Sequence, residues 1–190
     1  VNRVIEVLKK ENADVIGLIE TYGSGAIIAD SLGYYFYLIS SNLSIMSRYP
    51  IDETIQLFRS FNSGGALIRI SEEQQIAFYD IWLHYLPDVS DLNKGEAAVK
   101  KYEEDEAQTR IPEIREILKQ MTPHTAQSAE TPVILVGDFN CDSHLDWNEQ
   151  ARPAHLGAFA KLEVSRQVLN EGFTDSFRHL YPDVLLNQGA

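Results

Sequence analysis

Cysteine is almost missing: Cys141 is the only one in 190 residues. A single thiol excludes an internal disulfide framework and any metal site built from cysteines alone. Basic residues are scarce as well, with sixteen Lys and Arg against twenty-eight Asp and Glu, a formal net charge of −12. A fold that grips long nucleic acid needs Lys and Arg in surplus on one face. The acidic balance therefore argues against tight, nonspecific duplex binding. Long apolar runs are lacking too. The longest stretch without a charged residue, Ser31 to Ser47, is broken by Gly33, Asn42 and several Ser and Tyr residues, so no membrane span is expected. No charged segment followed by an apolar one opens the chain at Val1, and no signal peptide is visible.

What remains is an ordinary globular mixture of 44% apolar, 23% charged and 10% aromatic residues, which excludes disorder, collagen and coiled coil. A chain of this length suits one domain and buries roughly 70% of its unfolded surface. No repeat, linker or low-complexity tract divides it, so residues 1–190 are expected to form a single domain.

The pattern opens with Val1, Val4, Ile5, Leu8 and Ala13 at helical spacing, an amphipathic surface helix. Val15–Ile19 is a short unbroken apolar run ending at Glu20, the pattern of a central strand buried on both faces. A loop at residues 22–25 and a short helix over Ala26–Leu32 follow. Tyr34–Ile39 and Leu43–Ser47 predict paired strands, and Pro50 punctuates the chain. Further strands are expected over Ile55–Phe61, Ala66–Ile70 and Ile76–His84. Gly64-Gly65 belongs to a hairpin turn rather than a phosphate cradle, because no helix start follows it. A long helix is expected from about Asn93 to Met121, with Pro112 as its weak point and residues 103–106 as a solvated acidic face. After a polar loop from Pro123 to Thr131, Pro132–Gly137 predicts a second fully buried strand, which delivers Asp138-Phe139-Asn140.

Two places can carry chemistry. Glu20 and the pair Asp138/Asn140 each follow a strongly apolar strand, and a strand ending in a carboxylate sets that group at the sheet's rim. Strand alternation puts Asp138 and Asn140 on one face, with Phe139 on the other. A carboxylate beside an amide can position a water, while Glu20 offers the hard oxygen that Mg²⁺ takes. By spacing alone, a lone acid after a strand is usually a turn or helix cap.

Asp14-Val15-Ile16-Gly17-Leu18-Ile19-Glu20 resembles the segment that supplies the metal-binding glutamate in the endonuclease/exonuclease/phosphatase superfamily, with Ile19 where glutamine is usual. Residues 44–51 resemble the strand and turn after the family's first hairpin. Gly137-Asp138-Phe139-Asn140 is similar to its most specific motif, and residues 174–182 are similar to a segment of its apurinic/apyrimidinic endonucleases. The resemblance implies a mixed α/β (α+β) fold, a DNase I-like four-layer α/β/β/α sandwich, and metal-dependent hydrolysis of phosphate esters. It would make Glu20 a ligand of Mg²⁺ or Mn²⁺. Asp138 would orient or deprotonate the attacking water, Asn140 would hold that water or a phosphate oxygen, and His84 would contact the phosphate. Asp175 would support the family's catalytic histidine.

That histidine lies in a Ser-Asp-His motif absent from this sequence, and His179 is not its substitute. The strand bearing the family's metal-binding asparagine is also expected before Val1. The resemblance thus implies a domain incomplete at both ends, lacking its first strand and C-terminal strands, and a chain inactive by itself. Trp147 can stack on a base or sugar and His144 can touch substrate, or that loop is packed by its own tryptophan. Cys141 reads as a small packed residue, since no cationic neighbour in sequence activates its thiol. The expected activity is a metal-dependent phosphoesterase on a small, carbohydrate, lipid or nucleotide phosphate ester. The alternatives are an endonuclease on DNA or RNA, with extended nucleic acid disfavoured by charge, and a non-catalytic scaffold that kept the fold.

Overall fold

The computed structural model describes residues 1–187; residues 188–190, which the single-domain expectation also covers, lie outside the described residues. In chain order the regular elements are α1 (Asn2–Glu11), β1 (Val15–Ile19), α2 (Gly25–Leu32), β2 (Tyr35–Leu38), β3 (Leu43–Ser47), β4 (Ile51–Gln56), β5 (Ser63–Arg69) and β6 (Gln75–Trp82). They continue with α3 (Glu96–Glu106), α4 (Arg110–Thr125), β7 (Val133–Asp138), α5 (Glu163–Asn170) and α6 (Ser176–Leu180). The chain divides into two compact units, Val1–Trp82 with Lys119–Asp138, and Leu83–Leu118 with the chain from Phe139.

The first unit holds every described strand. One sheet has the antiparallel order β1-β3-β2. The other has the order β4-β5-β6-β7, antiparallel except for the parallel pair β6·β7, in which Trp82 lies opposite Asp138. Alternation along β1 sends Ile16 and Leu18 toward the two helices, where they pack with Ile5, Leu8, Ile28 and Ala29. Val15 joins an inter-sheet core with Ile45, Ala66, Ile68, Phe78 and Val136. On the far side of the second sheet, the Tyr79 hydroxyl bonds to Nδ1 of His124, and Gln120 Oε1 accepts the Phe58 N–H at 2.7 Å. Helix, sheet, sheet and helix follow one another, so the unit shows the expected mixed α/β sandwich.

Several local expectations change. Among the described residues β1 and β7 each lie at a sheet edge rather than at its centre. The expected burial on both faces fails as well: only Ile16 of β1 is buried, no residue of β7 is, and Ile134 is 40% exposed. An unbroken apolar run marks a strand without fixing how many of its neighbours are present. The predicted strand at Ile55–Phe61 begins earlier, at Ile51: Pro50 precedes it and removes no ladder donor. Gly64 and Gly65 lie inside β5, not in a turn. A Cβ on Gly64 would meet Ile39 at 2.6 Å, and one on Gly65 would meet Tyr79 at 2.4 Å, so their missing side chains serve close packing.

The second unit is helical among the described residues. It packs Leu92, Val99, Tyr102, Trp147, Ala160 and Leu162 into one core. The predicted long helix is two helices, parted at residues 107–109 rather than at Pro112. Pro112 falls in the first turn of α4, where a proline forfeits no intrahelical bond. At the far end, in the first unit, Pro123 is inside the last turn of α4 rather than opening a loop. The acidic run is not uniformly solvated. Glu106 is buried against Arg110, Glu103 accepts the Lys161 N–H at 2.9 Å, and Glu104 and Asp105 pair with Lys100 and Lys101 at the surface.

Candidate active site

Glu20 and Asp138 sit at the same end of the two sheets of the first unit. Glu20 follows β1 directly, and its N–H donates to the Asn42 carbonyl at 2.8 Å. The neighbouring turn fastens onto the second sheet: Ile39 occupies the space above Gly64, and Ser40 Oγ donates to the Phe61 carbonyl at 3.3 Å. That is the end where β5 begins and β6 finishes, and register puts Asp138 there opposite Trp82. Asp138 shares its face of β7 with Val136, which packs against Gly17 of β1. Glu20 is exposed and Asp138 half-buried. Tyr22 Oη donates to Glu20 Oε1 at 3.0 Å, and this bond, together with the neighbouring charge, raises the tyrosine pKa above its ordinary value.

The backbone is strained at these segments. Non-glycine residues with φ between +20° and +160° are uncommon. They include Glu20 at 55°, Tyr22 at 46° and Asn140 at 52°. Gly137, just before Asp138, has φ +132°, and a Cβ there would stand 2.0 Å from the Ile81 carbonyl oxygen. Only glycine passes so close to β6 in that conformation. Strain of this kind persists where the surroundings over-determine it, and it gathers at functional sites.

In the second unit, Asn140 Nδ2 donates to the Leu83 carbonyl at 2.8 Å, and the Asn140 carbonyl accepts from Arg110. The His84 N–H donates to Glu113 Oε2 at 2.9 Å, and its ring stacks on Tyr85 with centroids 5.0 Å apart. The segment after β6 is thereby tied to the segment after β7. Asp175 caps α6, accepting the Arg178 N–H at 2.9 Å, so its carboxylate is engaged locally. His179 is exposed.

Trp147 corrects the stacking expectation. It is only 2% exposed, its indole N–H donates to Asp142 at 2.8 Å, and its ring stacks on His155 at 3.8 Å. The loop is packed by its own tryptophan. His144 is half-buried and fastened to Ser165 at 2.9 Å, and burial, reinforced by nearby Arg166, lowers its pKa. That environment favours a neutral, structural imidazole over a substrate contact.

Sequence reasoning missed Arg110 and Asp80. Arg110 is fully buried and reaches four backbone or side-chain oxygens besides Glu106; nothing in its neighbourhood in the sequence signals this. Asp80 had a visible signal, an acid in the apolar run Phe78-Tyr79-Asp80-Ile81-Trp82. It lies 1% exposed between the sheets, where a Cβ on Gly17 would come within 2.9 Å of its carboxyl carbon. Its oxygens make no hydrogen bond among the described residues. Burial raises its pKa to about 7, outweighing the nearby amides of Leu18 and Ile81.

The donors at the Glu20–Asp138 end are hard carboxylate oxygens, the type Mg²⁺ or Mn²⁺ takes while keeping several waters. Among the described residues no cluster of three or more His, Cys, Asp and Glu is gathered as a metal centre. The donor chemistry fits such an ion held by one or two protein ligands.

The family model described as Endonuclease/Exonuclease/phosphatase matches residues 1–184. The chain belongs to this family. An uncharacterized Caenorhabditis elegans protein, F14F9.5, is 27% identical over an alignment 188 residues long that covers 94% of this chain and 60% of that protein. The chain therefore spans about three fifths of that relative's length. Among solved structures, a functionally unknown conserved protein from Enterococcus faecalis superposes with a TM-score of 0.51 at 12% identity, covering 88% of this chain and 62% of the other. That likeness supports the fold. ANGEL2, described as a 2′,3′-cyclic phosphatase, gives a TM-score of 0.47 at 16% identity, covering 73% of this chain and 42% of its own.

Proposed function

We propose that this chain carries hydrolytic residues of a divalent-metal-dependent phosphoesterase, acting by in-line attack of water on a small phosphate ester. The observation that supports it best is the strained backbone at Glu20 and around Asp138, with both carboxylates at one end of the paired sheets. Glu20 would hold Mg²⁺ or Mn²⁺, whose charge would offset that of the phosphate oxygens. Asp138 aligns a water and accepts its proton as the bond to phosphorus forms; the ester P–O bond opposite the water breaks, and the leaving oxygen departs as an alkoxide that takes a proton from solvent. A half-buried carboxylate fixed by a constrained Gly137 suits that role, because a general base must hold its direction. On the second unit, as the family resemblance implies, Asn140 would lend its amide to a water or a phosphate oxygen and His84 would contact phosphate. Rate comes chiefly from positioning and preset electrostatics, as in phosphoryl transfer generally. Asp175 remains with its helix cap, and neither Trp147 nor His144 takes part.

The net charge of −12 favours a compact ester over long nucleic acid. The test uses the whole protein with bis(p-nitrophenyl) phosphate and Mg²⁺ or Mn²⁺. Asp138→Asn is expected to cut turnover by about 10²–10⁴-fold with an unchanged unfolding midpoint, and Glu20→Gln to raise the metal concentration needed for half-maximal rate. Unchanged hydrolysis by Asp138→Asn overturns the assignment. A steep loss of affinity for an oligonucleotide as salt rises would favour a nuclease, and no divalent-ion binding at all a scaffold.

A further inference from the structure

Residues 83–88 leave β6 without entering another regular element, so their peptide groups need partners from elsewhere. The start of α4 supplies them. Glu113 accepts the His84 N–H at 2.9 Å, Thr109 Oγ1 donates to the Leu86 carbonyl at 3.1 Å, and Arg110 Nη1 donates to the carbonyls of His84 at 3.3 Å and Pro87 at 3.0 Å. The same Nη1 donates to the carbonyl of Asn140, which has φ +52°. The His84 ring is seated on the same segment, with Nδ1 3.1 Å from the Leu86 N–H. The Asn140 amide is seated through Leu83.

The guanidinium is itself held from behind. Tyr102 Oη accepts from Nη2 at 2.7 Å, the Tyr102 ring lies 5.2 Å below the guanidinium carbon, and Glu106 pairs with Nε at 3.3 Å. Arg110 has no measurable exposure. Solubility cannot explain a charge placed there, and stability does so poorly, because a buried ion pair recovers its desolvation cost only in part. A planar fork with several fixed donors does explain it: one rigid group can gather carbonyls from separate loops.

We propose that Arg110 is a positioning residue that presents the His84 ring and the Asn140 amide as one fixed pair. This rests on taking those two side chains as phosphate- and water-handling groups. Arg110 touches neither substrate nor water. It acts through the backbones that carry them, and Glu106 and Tyr102 set its plane.

Arg110→Lys keeps the charge and removes the fork, and Tyr102→Phe removes one of the bonds that orient it. In the whole protein, turnover of bis(p-nitrophenyl) phosphate by Arg110→Lys is expected to fall about 30- to 100-fold with KM changed less than threefold, the pattern of lost alignment. Tyr102→Phe is expected to give a smaller fall of the same kind. In nuclear magnetic resonance spectra of the folded variants, the His84 ring and Asn140 side-chain amide signals should move together. Folded Arg110→Lys with both signals unmoved overturns the proposal; if that variant does not fold, unmoved signals in Tyr102→Phe do so. Should the wild type hydrolyse nothing while the two signals still move together, the positioning role stands and the phosphoesterase assignment falls.

Discussion

The two units solve the same problem by different means. The first satisfies its backbone with ladders and fills the space between its sheets with Ile45, Ala66, Ile68 and Phe78. Asp80 is the exception in that layer. The second has no described strand and secures its irregular segments with buried guanidinium groups. Arg110 gathers the carbonyls of His84, Pro87 and Asn140. Arg178 bonds to Asp146 and to the carbonyls of Tyr181 and Asn187. Repetitive hydrogen bonding needs only a period in the sequence, whereas a guanidinium hub needs one residue at one place. The first arrangement should fail by steric intrusion, the second by loss of single donors.

The largest expected effect breaks the first arrangement. Gly137→Ala drives a Cβ into the β6 backbone at a φ of +132° and should cost at least about 4 kcal/mol in urea unfolding, if the variant folds at all. Next comes the second arrangement. Arg110→Met leaves Glu106, whose pKa burial already raises against the pull of Arg110, without its partner, at a cost of about 3–4 kcal/mol. Adding Glu106→Leu should restore little of it in equilibrium unfolding, because the three carbonyls stay without their donor. Near-full recovery would mean that only the ion pair mattered.

A smaller effect sharpens the contrast from the Asp80 side. Its pKa is about 7 in the folded chain against an ordinary value of 3.8. Between those values the folded state keeps a proton that the unfolded state has released, so stability falls as pH rises from about 4 to 7. The contribution is about 3 kcal/mol over that window. Asp80→Asn should remove it, seen as a flatter pH dependence of the unfolding free energy than in the wild type. Smallest of all is Lys101→Ala. It breaks an exposed ion pair with Asp105 and should leave the unfolding midpoint unmoved.

The same contrast explains what was legible beforehand. Val15–Ile19, Leu43–Ser47 and Val133–Gly137 were readable as strands because short runs of β-branched and apolar residues suit a pleated backbone, although only Leu43–Ser47 is buried throughout. The motif around Asp138 and the acid after β1 were readable because each ends such a strand. Edge position was not, since pairing depends on distant residues. The break between α3 and α4 was misplaced at Pro112 because a proline in a first turn has the same letter as one that breaks a helix. Arg110 and Asp146 could not be sorted from their neighbours in sequence, and for Trp147 the sequence left stacking and packing both open. Their roles depend on carbonyls and rings brought from elsewhere in the second unit.

Glu20 and Asp138 are proposed to serve one ion-bound phosphoryl group. Titrating the ¹⁵N-labelled whole protein with Mn²⁺ in the presence of inorganic phosphate tests it most directly, because the paramagnetic ion broadens nearby signals. Amides of residues 19–21 and 137–139 should broaden together at low Mn²⁺, and both sets should stay sharp in Glu20→Gln. Broadening of one set alone, or of neither while signals elsewhere fade, would contradict it.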